Sequence, residues 1–151
     1  MKIRNANTND LDSFVRLYQI SYKNMEEYAY TRKREIKWYF KWLMKRDEYG
    51  FFVAEIKEPV GFVACDANWI SFFEGKKLGE IHELFVDPDY RNRGVGRKLL
   101  DVGIEYAKSR GRELIELWVG MTNHTAKEFY KKVGFIESGV WGKWIRMIKE
   151  I

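Results

Sequence analysis

The sequence predicts an α/β domain (α+β type) built on a mixed, mainly antiparallel sheet. Three observations carry that prediction. Apolar residues switch between helical and alternating spacing in the order βα-α-ββ-β-α-β-α-ββ. Glycine, proline and asparagine stand where the period changes. The 151 residues match the size of one domain, 1–151, without internal repeat or linker.

Ile3 lies in a short opening strand, and Thr8 or Asn9 is placed to cap the helix that follows. Leu11, Phe14, Val15 and Tyr18 recur at helical spacing and carry that helix to about Lys23. A second helix starts near Thr31 and buries Ile36, Tyr39, Phe40 and Leu43. Gly50 ends it. Phe51 to Ile56 reads as a strand, turning at Lys57-Glu58-Pro59 into an antiparallel partner, Val60 to Asp66. Asn68 to Lys77 is expected as a loop carrying Trp69, Phe72 and Phe73. Leu78 to Val86 is a strand halted by Asp87-Pro88, and Gly94 to Arg110 is a long helix with Val95, Leu99, Val102 and Tyr106 on one face. Leu114 to Val119 is a strand and Asn123 to Val133 a short helix. Phe135 to Val140 and Trp144 to Lys149 form a closing hairpin.

Composition narrows the function. Hydrophobic residues at 46% and charged residues at 32% exclude disorder and low complexity. No apolar run reaches membrane-span length, and Met1-Lys2-Ile3-Arg4 is not a signal peptide, so a soluble cytoplasmic protein is expected. The net charge of +5 favours anionic partners, but the basic residues are scattered, without a stripe interleaved with stacking side chains. A nucleic-acid-binding domain is accordingly the least favoured reading. One cysteine, Cys65 in an apolar stretch, excludes a disulfide framework and a multi-cysteine zinc site; it reads as buried and structural. His82 and His124 have no partners at metal-ligand spacing, and no metal is expected. Aromatics at 17% hint at a pocket or an interface.

The most informative stretch runs from Leu84 to Leu100. A strand ends, a tight turn follows, and a helix opens on Gly94 and Gly96. Helix N-termini present unpaired N–H groups and the positive end of the dipole, and glycine lets a phosphate approach the backbone. Arg91, Arg93, Arg97 and Lys98 add positive charge, so the turn reads as a pyrophosphate cradle. A Walker loop would need Ser or Thr after Gly-Lys, and a dinucleotide fingerprint a third glycine where Leu99 stands.

Arg91-x-x-Gly94-x-Gly96, followed by Leu99-Leu100, resembles the acyl-CoA-binding motif of the GNAT N-acetyltransferase superfamily. Asn123-x-x-Ala126-x-x-x-Tyr130-x-x-x-Gly134-Phe135 resembles a second segment of the same family. With the element order, the resemblance covers essentially the whole chain. It implies the GNAT fold: a seven-stranded mixed sheet flanked by about four helices and splayed between the fourth and fifth strands. It also implies acetyl-CoA, whose pantetheine arm would pair with backbone groups of Leu84, Phe85 and Val86. Backbone amides of Asn92, Arg93, Gly94, Val95, Gly96 and Arg97 would hold the pyrophosphate beside Arg91. Asn123 would touch the cofactor arm, and Tyr130 would meet the thioester sulfur as the acid.

The implied activity is direct acetyl transfer to a primary amine in a ternary complex. The substrate amine is protonated at neutral pH and needs a base. Glu80, His82 and Glu83 are the candidates; Glu80 and His82 alternate onto one strand face, and Glu83 lies on the other unless a bulge re-aims it. His82 and Glu80 rank first, with Glu83 suited to bind a cationic substrate. Ribosomal-protein alanine acetyltransferases carry a catalytic Glu where this chain has Trp118, which reads here as a pocket wall. The acceptor is expected to pass Trp69, Phe72, Phe73 and the hairpin tryptophans Trp141 and Trp144. The alternative is an acyl-CoA-binding regulatory or catalytically weak member of the fold. The partners expected are a small amine or peptide amine and a second copy in a homodimer.

Overall fold

The computed structural model describes residues 1–151. The helices are α1 (Leu11–Ser21), α2 (Lys33–Asp47), α3 (Val95–Ser109) and α4 (His124–Val133). The strands are β1 (Lys2–Asn5), β2 (Phe51–Ile56), β3 (Glu58–Ile70), β4 (Lys77–Val86), β5 (Leu114–Gly120), β6 (Ile136–Trp141) and β7 (Trp144–Glu150). They form one seven-stranded sheet in the order β1-β2-β3-β4-β5-β7-β6. Every neighbouring pair is antiparallel except β4 and β5, which run parallel. No helix is long and apolar enough to cross a membrane.

Two apolar layers sandwich the sheet. Leu99, Leu100, Ile104 and Ala107 of α3 pack with Val63, Cys65, Ile81, Ile115 and Leu117 on one face. On the other face, Phe14 and Tyr18 of α1 and Ile36, Tyr39 and Phe40 of α2 pack with Phe51, Phe62 and Phe85. Phe14 is fully buried at the centre of this second layer. Its ring centroid lies 5.1 to 6.3 Å from those of Tyr18, Tyr39, Phe40, Phe51, Phe62 and Phe85. Much of the aromatic excess is therefore core.

One element departs from the sequence reading. Asn68, Trp69 and Ile70 continue β3, and the turn is confined to the stretch after Ile70. A register shift between Asp66 and Trp69 lets the strand resume after one extra residue. Side chains of α2 hold the irregular backbone: Asp47 Oδ2 accepts from Ala67 N–H at 2.9 Å, and Arg46 Nη2 donates to the Asn68 carbonyl at 3.4 Å. Such tertiary anchoring leaves no local signal. The first cap also differs, because Asn7 rather than Thr8 or Asn9 accepts the capping bond, from Asn9 N–H at 2.8 Å.

Phe14→Ala should cost about 3–5 kcal/mol of unfolding free energy in denaturant titration, because six packed rings surround the cavity it leaves. A loss under about 1 kcal/mol would show that this aromatic layer collapses freely.

Candidate functional site

The site begins with one extra residue. Ala64 of β3 faces Glu83 and Cys65 faces Ile81, so His82 is left over in β4 as a bulge. Past the bulge Glu83 points to the face covered by α1 and α2, the face that Glu80 and His82 also occupy. The bulge therefore does re-aim Glu83.

Pairing of β4 with β5 also stops there. The last partners are Ile81 and Leu117, although β4 continues to Val86 and β5 to Gly120. The strands splay, and a cleft of about 930 Å³ opens between them. Asp87 N–H donates to the Val60 carbonyl at 2.7 Å, which fixes the alternation of bonded pairs along β3 and β4. Leu84 and Val86 fall between bonded pairs and turn their N–H and C=O groups to the gap. Phe85 instead turns its backbone to β3, and its side chain is buried among the aromatic rings.

The glycine turn closes one end. Gly94 caps α3 with φ +80°, and Asn92 before it has φ +63°. A Cβ built on Gly94 would have nothing within 4 Å, so the space above the turn is open. Arg91, Asn92, Gly94, Val95, Gly96 and Arg97 line the cleft at this end. Arg93 does not; its guanidinium stacks 5.0 Å from the Tyr90 ring centroid. Asn123 lines the cleft, but its Oδ1 caps α4 by accepting from Ala126 N–H at 3.2 Å. Unpaired helix N–H groups, glycines without Cβ and two arginines together suit a diphosphate, and the exposed β4 backbone suits an amide-bearing arm.

Glu83 is 7% exposed at the middle of the cleft. Tyr22 Oη donates to its Oε2, and Tyr39 Oη donates to its Oε1 at 3.0 Å. Burial pushes the Glu83 carboxyl up to about 7, against the opposing pull of the two tyrosines and the Leu84 N–H. Burial and Glu83 together push the Tyr130 hydroxyl above its ordinary range. Tyr22 and Tyr39 were legible as helical residues, Tyr39 as part of a buried stripe, but nothing in their spacing marked them as partners of Glu83.

Of the first-ranked candidates, His82 borders the cleft with its ring engaged by other side chains, and Glu80 does not border it. His82 Nε2 donates to Asp66 Oδ2 at 2.9 Å, and its ring is wedged 4.9 Å from Trp42 and 4.8 Å from Trp69. Glu80 is sealed against Glu116 and faces a smaller cavity, not the main cleft. Trp118 lines the cleft. Trp69 packs on His82, Trp42 and Arg46, and Phe72 is 88% exposed; neither borders the cleft. Trp69 lies in β3, which continues to Ile70, and Phe72 lies in the turn between β3 and β4.

The segment between α1 and α2 bridges the far end. Tyr28 Oη lies 2.7 Å from Thr122 Oγ1, and Lys143 Nζ donates to the Glu27 carbonyl. The main cleft is thus walled by Tyr28 and Trp144 opposite the glycine turn.

The Acetyltransferase (GNAT) family matches residues 12–135 of this chain. The chain belongs to that family, whose acyl donor is acetyl-CoA. It is 56% identical over 150 residues to the uncharacterized N-acetyltransferase MJ1207 of Methanocaldococcus jannaschii, covering 99% of this chain and 66% of that protein's length. It is similar to PH1933 of Pyrococcus horikoshii, with TM-score 0.90 and 37% identity over 99% of this chain and 98% of that one. The PaiA N-acetyltransferase of Thermoplasma acidophilum, solved with coenzyme A, shares the fold at TM-score 0.83 and 22% identity, over 99% and 98% of the two chains.

Two outcomes follow from this geometry. A Cβ on Gly96 would meet Val86 and Phe129 only at 3.6 and 3.8 Å, so Gly96→Val should fold and lose acetyl-CoA affinity. Unchanged affinity by calorimetry in that folded variant would remove the turn from the site. The second concerns Glu83, whose folded-state pKa lies above its unfolded one. The proton it binds stabilises the fold at low pH, and this contribution is lost as pH rises through about 7. Melting temperature should therefore fall less between about pH 5 and about pH 8 in Glu83→Gln than in the parent. Parallel profiles would contradict the raised pKa.

Proposed function

We propose that this chain transfers the acetyl group of acetyl-CoA directly to a primary amine, with Glu83 as base and Tyr130 as acid. The observation that carries the reading is Glu83: a buried carboxyl in the cleft, clamped on both oxygens by tyrosines and pushed by burial up to about 7. A base must accept a proton from an ammonium and release it at neutral pH, and efficiency is greatest when its pKa lies near the working pH. An ordinary carboxylate is too acidic for that. Ionised on arrival, Glu83 also attracts the cationic form of the substrate.

Bound acetyl-CoA supplies an activated acyl group with a thiol as leaving group. Leu84 and Val86 are the backbone groups that would hold its amide-bearing arm, and the turn from Arg91 to Arg97 would hold the diphosphate. Asn123 keeps its Nδ2 for the same arm. Tyr22 and Tyr39 fix the Glu83 carboxylate toward the gap, which positions the attacking nitrogen. Tyr130 Oη retains its proton at neutral pH and would present it to the departing sulfur. Cys65 is buried under α3 with its thiol pushed well above the ordinary range. It is no nucleophile, which favours direct transfer over an acyl-enzyme. His82 and Asp66 are better suited to brace the bulge than to take a proton.

Glu83→Gln should lower kcat by at least roughly 10²-fold. It should also abolish the rise of kcat/KM with pH that the parent shows around about pH 7, since the base works only when ionised. A variant that keeps that limb would move the role of base to another group. Tyr130→Phe should reduce thiol release about 10²-fold at nearly constant acetyl-CoA affinity, and an unaffected rate would make Tyr130 a packing residue.

A further inference from the structure

Beside the main cleft lies a second cavity of about 290 Å³, lined by Glu80, Ile81, His82, Trp118, Trp141 and Trp144. Ile81, His82, Trp118 and Trp144 line both, so the two chambers share a wall. Three of the chain's six tryptophans converge on this small space. Phe73 braces two of them, with its ring centroid 5.8 Å from Trp118 and 6.2 Å from Trp141. Indole faces attract cations more strongly than any other side-chain ring.

The floor of the box is acidic and short of positive charge. Glu80 is 3% exposed, and its Oε1 is the one buried side-chain polar atom in the chain without a hydrogen-bond partner. Neighbouring Glu116 is ion-paired to Arg146, which also reaches Glu74 at 2.9 Å. One guanidinium thus serves two carboxylates, and Glu80 is left without a cation. Burial, then the hydrogen bond to Glu116, pushes the Glu80 carboxyl well above its ordinary range. A buried polar group without a partner is costly, and an ordinary apolar core would replace it with leucine or isoleucine. An arriving ammonium would supply the missing donor, and its charge would favour the ionised form of Glu80 that burial otherwise opposes.

We propose that the acceptor carries a second cationic nitrogen, which seats in the tryptophan box over Glu80 while its reacting amine lies at Glu83. The proposal rests on the reading of the cleft given above and names its substrate class: an amine joined to another amine by a short aliphatic spacer. Glu80 and Glu83 are three residues apart on an extended strand, a spacing of roughly 10 Å that the bulge shortens. The two shared-wall chambers therefore suit a spacer of a few methylenes, whose apolar body would run past Ile81 and Trp118.

The test pairs butylamine, pentylamine and hexylamine with the corresponding diamines and amino alcohols, assayed with acetyl-CoA by thiol release. At least one diamine should exceed its monoamine and amino alcohol in kcat/KM by roughly tenfold, mainly through KM. Trp141→Ala, at a residue 65% exposed and so removable without unfolding the chain, should shrink that ratio to about two- to threefold. Glu80→Gln should do the same. Equal use of monoamines and diamines, or a ratio unmoved by both variants, would overturn the second-cation subsite and leave the acetyltransferase reading standing. Failure of every amine to react would count against that reading instead. Tryptophan fluorescence then decides the box alone: quenching by a diamine but not its monoamine, lost in Trp141→Ala, supports it, and an equal response overturns it.

Discussion

A single bulge in β4 governs the functional half of the molecule. By inserting His82 between Ile81 and Glu83 it places consecutive side chains on one face of the sheet and ends the parallel pairing with β5. The cleft, the free backbone of Leu84 and Val86 and the inward carboxyl of Glu83 all follow from it. An unbulged β4 would send Glu83 toward α3 and keep the backbone groups paired. His82 is held in place by Asp66, which Arg46 also grips at 2.7 Å, so α2 secures the irregularity from outside the cleft.

Burying a carboxyl at that point is unfavourable unless its oxygens are satisfied. Tyr22 at the end of α1 and Tyr39 in α2 supply the donors, and the ring layer around Phe14 fixes both helices on the sheet. Packing and chemistry are thus linked. The aromatic layer that stabilises the domain also sets the height of the Glu83 pKa, by excluding water on one side and aiming two hydroxyls from the other.

Much of this was legible in the sequence because it depends on local pattern. Helical and alternating periods located the helices and strands to within a few residues, and the paired glycines after Val86 marked the phosphate turn. What was not legible depends on tertiary contact. Alternation alone placed Glu80 with His82, and only the observed register shows that Glu83 joins them. Trp69 looked like a loop residue because nothing local reveals that Asp47 and Arg46 sustain β3 past Asp66. Arg93 counted with the other basic residues of the turn until its stacking on Tyr90 turned it away. Trp118, Trp141 and Trp144 were each legible as pocket or acceptor-path residues, but their convergence from β5 and the β6–β7 hairpin onto one cavity with Glu80 was not.

The central claim is that the bulge places Glu83 in a desolvated slot where it titrates near neutrality. Side-chain carbonyl NMR of the glutamates, with Glu83 assigned through Glu83→Gln, measures this directly without substrate or turnover. The account predicts an apparent pKa near about 7 for Glu83. It would be contradicted by a titration in the ordinary glutamate range near about 4.3.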